Sequence, residues 1–236
     1  MRYLGYYIII VLALLFILFV LFPNLTIYRH KVIYKNFRIY SDKEIDGSIH
    51  QILDEVEKKL SCSEIYNDHM KYRMYLSSSI KLYAVFVPGQ KDAFAAAFPI
   101  FKNIFVSQTD VKNNKVYRNS VEDNERSLSS VLAHEAVHIL IEKKIGIGGN
   151  CKLTTWKKEG YCEYISVDEP LNMIEAFNTV YSPGNQSSSS FSYLRYRLLV
   201  TYLLEEKGYS FQEMVETEFD LHQLETELRD HFRISF

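Results

Sequence analysis

Residues 134–138 read His-Glu-Ala-Val-His. Histidines four apart lie on one helical face, so His134 and His138 can present two imidazoles to a single metal ion. Glu135 is rotated about 100° around the axis, near enough to take a proton from a water on that ion. Zinc brings the pKa of such a water toward neutrality, and a carboxylate completes its activation. The chemistry implied is hydrolysis. A third protein ligand is then required, with a fourth position left open for water. Residues 156–164, WKKEGYCEY, offer Glu159, Cys162 and Glu163, and Glu159 and Glu163 share a face at a spacing of four.

The elements that must position these groups are two helices. One starts at Ser127 and runs to about Lys144, where Gly146, Gly148 and Gly149 should stop it. Around the motif its residues are apolar on every side: Val131, Leu132, Ala133, Ala136, Val137, Ile139, Leu140 and Ile141. Such a helix is buried, and a buried polar or charged group needs a partner. The second helix starts at Thr155 or Trp156 and runs to about Val167.

HExxH followed about twenty residues later by W-x-x-E-G resembles the gluzincin metallopeptidases, which include thermolysin-like and aminopeptidase families and small peptidase MA-like domains. The resemblance spans roughly residues 80–215, and its specific part is 134–163. It implies a zincin-like fold, Zn2+ as cofactor and a peptide or protein as substrate. It gives the third zinc ligand as Glu159 and makes Glu163 a partner that orients a histidine. Related enzymes stabilise the oxyanion with a Tyr or His on a later helix, which points to Tyr193, with Tyr196 as second choice. A sheet strand at 103–108 would either border the cleft as an edge and pair with an extended peptide, or lie in the core with partners on both sides. Cys162 stands where the family often has a small residue. It reads as a small buried side chain, with a Cys151–Cys162 disulfide or ligation of the metal as alternatives.

The rest of the chain reads as strands followed by helices. Residues 36–41 alternate as a strand. Ser41 with Glu44 suggests a capping box, followed by Ile45, Ile49, Ile52, Leu53, Val56 and Leu60 at helical spacing. Residues 71–76 and 80–87 look like two strands around a serine turn, and 109–126 like a loop. A flexible loop is expected at 182–190, a helix at 191–207, a capping box at Ser210 and Glu213, and a last helix at 221–232. The fold class expected is α+β, a small mixed or antiparallel sheet followed by a helical half, in one domain over 36–236.

Composition sets outer bounds. The chain has 236 residues, with 27 Lys and Arg against 29 Asp and Glu. A net charge of −2 weighs against nonspecific nucleic-acid binding. Hydrophobic residues at 47% exclude a disordered chain, and three cysteines are too few for a disulfide scaffold. Residues 4–22 carry no charge and would rise roughly 28 Å as a helix, close to a bilayer core. This predicts a single-pass transmembrane anchor with the catalytic domain on the extracytoplasmic side. The function expected is that of a membrane-anchored zinc metallopeptidase. The alternative is a catalytically silent zincin-fold module that tethers or assembles partners, against which Glu135 argues, since a purely structural site needs no base.

Overall fold

The computed structural model describes residues 6, 7, 11, 23–120, 123–181 and 189–234. The chain divides into two compact units. One holds residues 1–53, 70–96 and 102–128, the other 54–69, 97–101 and 129–236. It passes between them several times, so no linear change of composition marks a boundary.

The first unit is built on a mixed sheet. Strands β1 (His30–Tyr34) and β2 (Phe37–Ser41) form an antiparallel pair. β2 lies parallel to β3 (Tyr72–Ser77), and β3 parallel to β5 (Asn103–Asp110). Parallel neighbours need long crossovers, and these carry helices α1 (Ile49–Ser61), whose residues from Asp54 on belong to the second unit, and α2 (Ile80–Phe86). β5 pairs antiparallel with β6 (Lys115–Tyr117), and β6 with β7 (Glu125–Ser127). Strand β4 (Ala95–Phe98) also pairs with β5. The core is aromatic: Phe105 stacks on Tyr75 at 4.7 Å and on Phe86 at 5.4 Å between ring centroids. Each such pair contributes about 0.5–1.5 kcal/mol beyond its buried area. The buried Tyr28 hydroxyl meets Ser77 Oγ at 2.8 Å, and burial pushes that phenol's pKa up.

Several local expectations are corrected here. Residues 80–87 form α2 instead of a strand. Ser79 Oγ accepts the Leu82 N–H at 3.3 Å and caps the helix; so short an apolar run does not separate the two periods. Ser41 ends β2 and accepts the Lys43 N–H at 3.2 Å, so no capping box forms with Glu44. The helix starts later, at Ile49, and buries Ile49, Ile52, Leu53, Val56 and Leu60 as the periodicity predicts. The loop expected at 109–126 contains β6 and β7. β5 is not an edge strand: β3, β4 and β6 all pair with it, which leaves no open ladder for an extended peptide.

The anchor is corrected as well. Among the described residues no helix is long and apolar enough to cross a membrane. A span needs about 20 continuous helical residues, and within 4–22 the described ones are Tyr6, Tyr7 and Val11; the rest of that segment lies outside the described residues. The single-pass extracytoplasmic placement is withdrawn with it. The fold class stands as α+β with a mixed sheet and helices.

The second unit is helical: α3 (Leu128–Lys152), α4 (Thr155–Ser166), α5 (Met173–Tyr181), α6 (Ser189–Thr201), α7 (Phe211–Glu216) and α8 (Leu221–Ile234). α3 breaks at Gly146, where the sequence suggests a stop: its φ of 73° is a conformation other residues rarely adopt, and a further helical stretch follows to Lys152. α6 gives way to a π turn at Tyr202–Glu206, so the helix expected over 191–207 is not uniform. The capping box at Ser210 and Glu213 forms as expected. Of the loop expected at 182–190, residues 182–188 lie outside the described residues.

Candidate metal centre

α3 carries His134 and His138 one turn apart, with ring centroids 5.0 Å apart. The apolar residues flanking the motif are all buried, and His134 at 7% and Glu135 at 8% exposure are buried with them. α4 is held in place by contacts with other segments. Trp156, Tyr161 and Ile165 are buried. The Tyr161 hydroxyl meets Ser63 Oγ at 2.9 Å. Lys157 Nζ donates to the Thr217 carbonyl at 2.7 Å, and burial lowers its pKa. Gly160 faces the α6 backbone: a Cβ there would sit 2.4 Å from the Tyr196 carbonyl oxygen. These contacts fix which face of α4 meets the motif, and that face carries Glu159, Cys162 and Glu163.

Each imidazole is engaged on both nitrogens by α4. Glu159 Oε2 lies 3.2 Å from His134 Nε2 and 3.6 Å from His138 Nε2. On the far side of the rings, Glu163 Oε1 is 3.0 Å from His134 Nδ1 and Cys162 Sγ is 3.4 Å from His138 Nδ1. The His134–Glu163 approach has the distance of an ion pair but not the alignment of a hydrogen bond.

His134, His138 and Cys162 each offer a ligand atom, the three within 4.8 Å of one another, so this group could hold a metal ion. Glu159 approaches the Nε2 edge of both rings, so Cys162 and Glu159 face opposite nitrogens of His138, whose lone pairs diverge.

The electrostatics suit a cation. Burial opposes charge on His134, yet Glu159, Glu163 and Glu135 overcome it and push its pKa up to about 10. Burial works against the Glu159 carboxylate too, and the two imidazoles more than reverse this and hold its pKa down. The Cys162 thiol is pushed well up by burial, with the charges of Glu159, Glu135 and Glu163 adding to it. Three carboxylates therefore converge on two imidazoles. This concentration of negative charge around two imidazoles suits a divalent ion. The centre is open on one side: the His138 and Glu159 side chains keep 16% and 18% exposure, while Cys162 is fully buried.

Of the expected site residues, the fold brings together His134, Glu135, His138, Glu159 and Tyr193. The Tyr193 ring on α6 sits 6.1 Å from the His134 ring, nearly perpendicular. Tyr196 presents its backbone carbonyl to Gly160 instead. The Cys151–Cys162 disulfide is absent: both thiols are free, Cys151 exposed and Cys162 buried. The contact of Cys162 with His138 is legible in the spacing, since residues three and four beyond Glu159 share its face. Comparison with protein-family models and with curated proteins returns no match.

Proposed function

We propose that this chain is a zinc-dependent metallopeptidase of gluzincin type that hydrolyses peptide or protein substrates. The observation that carries the reading is the position of Glu159 Oε2, 3.2 and 3.6 Å from the two Nε2 atoms. Donors on a tetrahedral zinc at about 2.0–2.1 Å lie roughly 3.3–3.4 Å apart, so this spacing suits a shared ion. His134, His138 and Glu159 would hold it. Bound there, zinc would polarise a water and the scissile carbonyl.

Glu135 takes the proton from the attacking water and passes it to the leaving amine. Tyr193 donates its hydroxyl to the developing oxyanion. Glu163 and Cys162 orient the two imidazoles from behind. Glu159 is favoured over Cys162 as the third ligand because its Oε2 approaches the Nε2 atoms of both imidazoles, whereas Cys162 approaches His138 at Nδ1.

Two measurements test the reading. Zinc-loaded protein is expected to cleave a mixed peptide library, to stop when a chelator strips the metal, and to resume when zinc is restored. A fully loaded protein that cleaves nothing refutes the peptidase assignment. In metal titrations, Glu163→Ala and Cys162→Ser are expected to weaken zinc binding by about tenfold, and Glu159→Ala by substantially more. If Cys162→Ser proves the most damaging, the ligand assignment passes to the cysteine.

A further inference from the structure

We propose that Lys59 is a positioning residue that sets the two metal-binding helices in register. Its catalytic meaning rests on the metallopeptidase reading above. The side chain comes from the last turns of α1 and is 9% exposed. Its Nζ reaches three acceptors from two other segments: Ser130 Oγ at 2.8 Å, the Ser166 carbonyl at 2.6 Å and Asp168 Oδ1 at 2.6 Å. An ammonium has three N–H donors, and all three are used. Ser130 Oγ in turn donates to Asp168 Oδ2 at 3.1 Å, which closes a ring.

The placement of the acceptors gives the ring its role. Ser130 lies one turn before His134 on α3. Ser166 is the last residue of α4, three beyond Glu163, and its carbonyl is one of those a helix end leaves without an internal partner. Lys59 thus fastens the start of the histidine helix to the end of the glutamate helix. Sliding α4 along α3 would break the ring, and the same slide would change the Glu159 and Glu163 distances to the imidazoles. A buried charge held by three acceptors permits far less slippage than apolar contact, because an unmet donor inside a protein is costly.

The test compares wild type with Lys59→Met, which keeps the volume, and with Asp168→Asn, whose site is 57% exposed and tolerates change. The readouts are the 15N imidazole resonances of His134 and His138 in zinc-free protein and, separately, zinc affinity. Helical circular dichroism shows which variants fold. Lys59→Met is expected to shift both imidazole signals and to weaken zinc binding about tenfold, the scale typical of groups that orient a ligand. Asp168→Asn is expected to shift the signals in the same direction by less, and it decides alone if Lys59→Met does not fold. Signals at wild-type positions in the folded variants overturn the proposal. Shifted signals in a protein that takes up no zinc even as wild type uphold the register role and remove the metallopeptidase reading.

Discussion

Replacing Glu135 with glutamine is expected to cut peptide hydrolysis by about 10²–10⁴-fold and to leave the zinc content unchanged. At tenfold per about 1.36 kcal/mol, this is roughly 3–5 kcal/mol of transition-state stabilisation. Glutamine keeps the size of the side chain and its place in a tightly packed helix but cannot accept a proton. The imidazoles and Glu159 approach one another without Glu135, which acts on His134 and Cys162 through its charge alone. Turnover and metal content, measured on the same preparation, separate the two effects. Unchanged turnover removes Glu135 from the role of base. A joint loss of zinc and turnover would mean that its charge holds the metal instead.

The second large effect is expected at Gly160. A methyl group there would stand 2.4 Å from the Tyr196 carbonyl oxygen, 2.6 Å from Val200 Cγ2 and 2.9 Å from the Tyr196 carbonyl carbon. Two of these atoms are backbone, so no rotamer change relieves the overlap. Alanine gains about 1 kcal/mol over glycine in helix propensity, while overpacking costs about 1–3 kcal/mol and occasionally more. With contacts this short the steric cost dominates. Gly160→Ala is expected to destabilise the fold by about 2–3 kcal/mol and to push α6 away, carrying Tyr193 off His134. Denaturant unfolding measures the first effect and turnover of the folded fraction the second. A variant as stable as wild type would show that α4 and α6 are less tightly apposed than the Gly160 contact requires.

The glycine also explains why part of the site was legible in the sequence. The W-x-x-E-G pattern combines a carboxylate that meets both imidazoles with a residue small enough to admit the next helix. Periodicity located α3 and α4 because both combine an apolar run with residues spaced by four. Spacing alone leaves Glu159 and Glu163 on one face, and the choice of Glu159 rests on the gluzincin resemblance. Residues 80–87 read as a strand because strand and helix share a short apolar run, and a single Ser79 cap decides between them. The interior place of β5 depends on which strands flank it, which local pattern does not encode. Lys59 lies with Val56 and Leu60 on the buried face of α1, where a lysine needs a special reason. What could not be read was its set of partners, 71 and 107 residues further along the chain.

The three α4 groups that meet the imidazoles, Glu159, Cys162 and Glu163, sit within five consecutive residues. If that turn unwinds, the carboxylate, the thiol and the second glutamate depart from the histidines together. On the metallopeptidase reading, capture and release of the ion would be bound to the winding of one short helix.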